Sequence, residues 1–549
     1  MSRANKPVLQ GPIPMVAILL LGTLLRCATL DQNRAMEDEA LYGYWGLQIA
    51  SGSDPMLDRE PVDKPPLFPY TLGLTYALLG PVRVRAVSLR APVQDTSTVG
   101  GPLACAKTDC HAEMHQIEME SRLPSLFASI VAIALLYALG AKLYKSAPTG
   151  LLAALLLAAS PFAVSFGSTA FVDPILTAWV LGALLAATAG LLGPAGVMVG
   201  LAAATKQQGL LLLPLVLFAG ILSQHGAPGP QRHRLRWIRW LLFLLGFGAV
   251  IAGMVAWDQA RDQRPGFFAQ ALISYGGLRF APFSDLGDRA RSWLHLAEAF
   301  WPMPWLTGLF LSALVALACA AGLAALRREG TAPSPATRSA LGHAYGVGAM
   351  TVAILLFIIL FLLLHWLLGI QLWDRYLLVI LPLVALLLAL ALVSAGRLLP
   401  AGRWRAGYLP CVAVAVLVSL ACPGLASPQG HVPTGGDHGA YDGIDDLAVY
   451  ARERLPAGSV LYDHWLGHHY RFYLYGAPLH IHWYPDTIDL VQDAQAYRRE
   501  PRYIAFPSWK ESSPAAVALA DAGMGLAPVY ETRRRDGTVS FRLFRLVGP

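Results

Sequence analysis

Five sets of ionisable residues, scattered through an apolar chain, have the types that proton transfer and anion binding require. Glu37-Asp38-Glu39 opens the series, Asp63-Lys64 follows, and Asp173, Lys206 and Asp374-Arg375-Tyr376 come much later. A carboxylate at such a place can take a proton from a hydroxyl, and a lysine or arginine in a low dielectric can neutralise a developing anion. Acids and bases at membrane depth are costly, which makes them functional candidates by default. Each one alone also suits a side chain that seeks the interface and snorkels. As a set they ask for more, because the short outer turns otherwise carry few charges.

The elements that must position them are membrane spans. The chain has 549 residues, of which 55% are hydrophobic and only 14% charged, against roughly 25% charged in soluble domains. Apolar runs of about 20 residues are long enough to cross a bilayer. They fall near 12–30, 122–144, 149–167, 174–192, 194–206, 208–223, 238–257, 300–326, 343–365, 375–396 and 405–425, about eleven in all. The formal charge of +7 does not describe a nucleic-acid surface, since Lys and Arg cluster in short segments between spans. Arg3 and Lys6 precede an apolar run with no convincing small-residue cleavage site, so the first span reads as a retained helix.

The stretch 65–80 is apolar but short and opens with Pro65-Pro66. If it does not cross, the basic segments Arg3/Lys6, Lys142/Lys145, Arg232 to Arg239, Arg327/Arg328/Arg338 and Arg397 to Arg405 all share one side, the cytoplasm. It is therefore expected to lie in the outer interface. Residues 31–121 then make one long external loop containing the acidic cluster and a polar insert, 81–118, with Cys105 and Cys110, which could close a small disulfide loop or stay free thiols. Residues 258–299 form a second external loop in which charges, Tyr275 and Trp293 are mixed.

After a Gly/Pro-rich linker from Ser427 to Gly439 the composition becomes that of a soluble domain. Strand-like runs at 460–462, 480–483, 503–506, 528–530 and 539–543 alternate in part with helical patterns at 445–455, 487–497 and 514–522. The expected architecture is a mainly α, polytopic helical bundle over 1–426 and a small extracytoplasmic α/β domain over 427–549. His464, His468 and His469 are weak metal candidates, with Asp463 alone nearby as a further ligand, and no phosphate-cradling glycine motif is present in this domain.

In this order, Glu37-Asp38-Glu39-Ala40-Leu41-Tyr42, Asp63-Lys64-Pro65-Pro66-Leu67, Arg122-Leu123-Pro124-Ser125, Ala170-Phe171-Val172-Asp173-Pro174, Ala204-Thr205-Lys206 and Asp374-Arg375-Tyr376-Leu377 resemble the dolichyl-phosphate-mannose protein mannosyltransferase superfamily. The bacterial branch with the aminoarabinose transferase of lipid A is nearest in pattern, over about residues 10–400. The sequence departs from that branch at Leu41 and in the long insert before Arg122. The resemblance implies a membrane glycosyltransferase of the GT-C type in the plasma (inner) membrane. Such enzymes take a sugar from a polyprenyl phosphate at the extracytoplasmic face and invert the anomeric centre. The acceptor would be a lipid, a glycan or a protein.

Carried over by position, Asp38 is the expected catalytic carboxylate and Asp173 the second acidic position. Lys64 and Lys206 are expected at the donor phosphate, with Glu39, Tyr42, Asp63, Arg375 and Tyr376 as substrate-binding neighbours. A divalent metal is left open. A transporter or flippase of lipid-linked sugars is the competing reading, but ionisable residues gathered at one boundary, without a visible repeat, favour the enzyme.

Overall fold

The structure, a computed structural model, describes residues 12–79, 110–224, 230–262, 264–275, 277, 279–300, 308, 312–313, 335–426 and 439–548. The expected span at 300–326, most of the 81–118 insert and the linker at 427–438 fall largely outside them.

In chain order the helices are α1 (Ile13–Thr29), α2 (Glu37–Ser51), α3 (Leu67–Leu79), α4 (Cys110–Tyr144), α5 (Ala147–Ala159), α6 (Pro161–Gly167), α7 (Asp173–Thr188), α8 (Leu192–Thr205), α9 (Leu213–Ser223), α10 (Pro230–Ala260), α11 (Phe267–Ser274), α12 (Leu286–Phe300), α13 (Pro335–Leu367), α14 (Leu381–Leu398) and α15 (Arg403–Leu425). Five stretches, in α4, α10, α13, α14 and α15, are long and apolar enough to cross a membrane. Bands of exposed apolar side chains, such as Leu241, Leu244 and Leu245 on α10 and Leu356 and Leu360 on α13, suit contact with lipid.

Several elements differ from the sequence reading. The expected spans near 12–30, 174–192, 194–206 and 208–223 are apolar helices of 17 residues or fewer, shorter than the five crossing stretches. The run at 149–167 is not one straight helix: α5 and α6 are bent by 62° at Ser160-Pro161. Pro161 cannot continue the hydrogen-bond ladder, and Ser160 Oγ accepts the Ala163 N–H as a new helix cap. Further on, α4 starts at Cys110, well before the expected 122, so its polar first turns project from the apolar part.

Helix α3 has 13 residues, about 20 Å of rise, which is short of the roughly 30 Å hydrocarbon core. Phe68, Leu72 and Tyr76 face inward while Leu74, Leu78 and Leu79 are exposed, the one-sided pattern expected of an interfacial helix. It lies close along α2 because glycines meet there: a Cβ on Gly73 would stand 2.6 Å from Ile49 Cγ2 and one on Gly46 2.7 Å from Leu72 Cβ.

The C-terminal region holds α16 (Ile444–Arg454), β1 (Val460–Asp463), α17 (Gly467–Tyr473), β2 (His480–Trp483), α18 (Thr487–Ala496), β3 (Arg502–Pro507), α19 (Ser513–Asp521), β4 (Gly525–Arg533) and β5 (Val539–Val547). The sheet order is β2-β1-β3-β5-β4, with β1 parallel to β2 and β3, and β5 antiparallel to β3 and β4. Strand alternation divides the core. Val460, Tyr462, Ile504 and Phe506 pack with α18 and α19. Leu461, Tyr503, Ala505 and Leu543 share a core with Tyr42, Trp45, Phe68 and Val172 of the other part. The small sheet domain is thus packed onto α2, α3 and the start of α7.

Candidate active site

Helix ends position the ionisable residues. Asp38 lies in the first turn of α2, where three acids face the positive end of the helix dipole. Asp173 begins α7 and is followed by Pro174, whose fixed φ suits a first turn. Lys206 is the C-cap of α8, where a cation complements the negative end. Arg375 and Tyr376 sit in a 3-10 turn, Asp374–Leu377, ahead of α14.

The structure brings these ends together. Lys206 Nζ donates to Asp173 Oδ1 at 2.7 Å and lies 4.8 Å from the centre of the Tyr376 ring. Lys64 Nζ donates to Asp63 Oδ2 at 3.0 Å and to the Tyr275 hydroxyl at 2.7 Å. Lys64 also lies near enough to act electrostatically on both Asp173 and Lys206, so the two pairs belong to one cluster of charges. Gln207 Nε2 donates to the Asp63 carbonyl at 3.0 Å and closes the same corner. Asp38 pairs with Arg375, whose guanidinium stands 5.2 Å from the Phe171 ring and 5.1 Å from that of Trp373.

Burial alone would lower the pKa of Lys64, but Tyr275 and Asp63 outweigh it and raise the value, so the ammonium is charged at neutral pH. Burial raises Glu37 above the usual carboxylate range, against the pull of Arg375. Tyr42 is buried beside Asp63, Asp173, Tyr275 and Tyr376, which holds its phenol protonated. Asp173 Oδ2 is buried without a hydrogen-bond partner among the described residues, a spare acceptor beside Lys206.

Glu39 stands apart from the expectation that it binds substrate. Its carboxylate takes Arg122 Nε at 3.0 Å, the Ala170 N–H at 2.7 Å and the Met36 N–H at 3.0 Å, and is 2% exposed. Ser125 Oγ donates to the Phe171 carbonyl at 2.7 Å. The acidic, RLPS and AFVDP motifs are therefore bound to one another, and Glu39 and Arg122 position the loops that carry Asp38, Phe171 and Asp173. His464, His468 and His469 do not share one ligand position. His464 Nδ1 meets the Tyr484 carbonyl at 2.7 Å, His469 Nε2 meets the Ala35 carbonyl at 3.0 Å, and His468 lies near Asp63 and Lys64.

Sequence reasoning missed several neighbours. Tyr275 stood among many loop residues, with nothing local to mark it as the partner of Lys64. His365 lies at the end of an apolar span, its ring 5.4 Å from that of Tyr376 and its Nε2 2.9 Å from Gln208 Nε2. A lone imidazole closing an otherwise apolar run was the one signal available.

Residues 114–256 match the protein family described as dolichyl-phosphate-mannose-protein mannosyltransferase. No curated protein sequence matches the chain. Among solved structures, ArnT from Cupriavidus metallidurans bound to undecaprenyl phosphate aligns over 97% of this chain and 98% of its own, with 15% identity and a TM-score of 0.56. The same protein in the apo state gives 15% identity, 97% of both chains and a TM-score of 0.57. At that identity the likeness is one of fold. Motif order, family match and fold agree, and the chain resembles the membrane GT-C glycosyltransferase superfamily of protein mannosyltransferases and aminoarabinose transferases.

Proposed function

We propose that the protein is an inverting glycosyltransferase that moves a sugar from a polyprenyl-phosphate donor to an acceptor hydroxyl or amine at the extracytoplasmic face of the plasma membrane. The observation that carries this reading is the clustering of Lys64, Lys206 and Arg375 with Asp38 and Asp173 at the ends of α2, α7 and α8 and the turn before α14. The undecaprenyl phosphate bound by the similarly folded ArnT supports a lipid phosphate as the anion.

In this reading the donor phosphate lies between Lys64, Lys206 and Arg375, where low dielectric strengthens each attraction. Arg375 turns from Asp38 towards the phosphate, and the released carboxylate accepts the acceptor's proton. The acceptor oxygen or nitrogen bonds to the anomeric carbon as the bond from that carbon to the phosphate oxygen breaks. The lipid phosphate departs with the electron pair, stabilised by the three cations in place of a general acid. One displacement inverts the centre, so a single base suffices, unlike the carboxylate pair of glycosidases. Asp173 holds Lys206 through Oδ1 and offers Oδ2 to a substrate hydroxyl.

The purified protein, given polyprenyl-phosphate sugars and a panel of acceptors, releases polyprenyl phosphate. Asp38→Asn lowers turnover by about 10²–10⁴-fold, the usual worth of a positioned base. Full turnover in that variant would remove Asp38 from the chemistry, and no release from any donor would remove the transferase reading.

A further inference from the structure

A second ionisable cluster lies outside the pocket, where the polar first turns of α4 meet the sheet domain. His111 and His115 stand four residues apart on α4 and so share one helix face. They point at Asp445 in the first turn of α16. His115 Nε2 is 2.9 Å and His111 Nδ1 3.9 Å from Asp445 Oδ2, and one ligand atom from each of the three residues lies within 4.8 Å of the others. Ligand atoms about 2.0–2.2 Å from a tetrahedral ion stand roughly 3.3–3.6 Å apart. Small side-chain rotations take this group there.

The surroundings match a metal centre as well. Asp446 Oδ1 is 3.5 Å from His111 Nε2, and Asp31 Oδ1 is 3.8 Å from His115 Nδ1. Each imidazole thus turns one nitrogen to Asp445 and has a carboxylate at the other, the outer arrangement that fixes the ring and raises the basicity of a metal-bound histidine. Arg34 also stands 3.8 Å from Asp445 Oδ2, but its closer partners are Glu118 at 2.7 Å and Asp31 at 3.1 Å, and Arg122 acts on Glu118 as well. The four carboxylates of Asp31, Glu118, Asp445 and Asp446 outnumber the two guanidiniums of Arg34 and Arg122, leaving charge for a dication. His111 is 38% exposed, which opens the remaining coordination position to water.

We propose that His111, His115 and Asp445 bind a divalent transition-metal ion of the zinc class and that the ion clips the sheet domain to α4. Two imidazoles with one carboxylate select zinc-like ions over calcium or magnesium, which take oxygen ligands. Three protein ligands leave one position for water. The clip lies beside Cys110, which is itself disulfide-bonded.

The test uses the full-length protein in detergent with any affinity tag removed, stripped with a chelator and dialysed against Zn²⁺ or Co²⁺. The wild type takes up one equivalent more than the double variant His111→Ala/His115→Ala, and its Co²⁺ form shows the intense visible bands of a four-coordinate site. Zn²⁺ raises the unfolding midpoint of the wild type and not that of the double variant. Asp445→Asn weakens binding at least tenfold. If the double variant fails to fold, His111→Gln is read in its place and shows the same loss. Equal uptake and equal Co²⁺ spectra in wild type and variant, or no stoichiometric uptake by the wild type, overturn the proposal.

Discussion

The Asp173–Lys206 pair lets stability and chemistry be separated within one contact. The two side chains are 1% and 11% exposed and 2.7 Å apart, so at an effective dielectric near 20 their attraction is about 6 kcal/mol. Most of that is offset by desolvation, and the net effect appears when one partner is removed. Lys206→Met leaves the Asp173 carboxylate buried, with its second oxygen already lacking a partner. Asp173→Asn leaves Lys206 with Asp374 as a more weakly placed carboxylate. Each single variant is expected to lose about 3–5 kcal/mol of stability, and the double variant D173N/K206M, which removes both charges, about 1 kcal/mol. Turnover should behave differently. If Lys206 stabilises the departing phosphate, K206M and the double variant both lose about 10²–10³-fold, as when one donor to a developing anion is removed. The assay is thermal unfolding in detergent alongside release of polyprenyl phosphate. A double variant that recovers turnover together with stability would refute the reasoning, because the pair would then be a packing device.

Acid should loosen the sheet domain, and His469 is the sharpest probe of it. Burial pushes this imidazole down to about 3, the hydrogen bond to the Ala35 carbonyl only partly opposing it, so the folded form resists a proton that the unfolded chain binds near 6.5. Its stabilising contribution is complete above about 6.5 and is lost as pH falls toward 3, by about 2 kcal/mol between pH 6.5 and 5. His469→Asn should flatten the unfolding midpoint over that range, and an unchanged slope would show that other groups govern it. A methyl group at Gly43 would stand 2.4 Å from Phe472 Cε2 on α17, so Gly43→Ala should cost about 1–3 kcal/mol by overpacking and raise protease sensitivity at the contact between α2 and the sheet domain. Unaltered proteolysis would mean that Phe472 has room to move.

Five of the expected spans, at 122–144, 238–257, 343–365, 375–396 and 405–425, were legible because each is written in consecutive residues, and the count of basic turns placed the 13-residue Leu67–Leu79 helix outside the expected crossing set. Strands and helices of the C-terminal region were legible for the same local reason. The broken helix at Ser160-Pro161 was written in the sequence as well, but the apolar run around it reads as one span. Glu39 shows the limit of motif reading: three adjacent acids look equivalent in sequence, yet α2 turns by about 100° per residue, so Asp38 faces Arg375 and Glu39 faces Arg122.

The sequence by itself determined which residue types were available at helix ends, and hence that carboxylates and cations would gather at one boundary of an apolar bundle. Only the tertiary structure decided the partners. Tyr275 and Lys64 are 211 residues apart, and Asp38 and Arg375 are 337 apart. Pairings at that separation depend on how α7, α8 and α14 pack in one core while α2 packs with the sheet domain in a second, with α7 reaching both. Local patterns encode the elements because backbone geometry is local, whereas the pocket is set by long-range packing that no stretch of sequence contains.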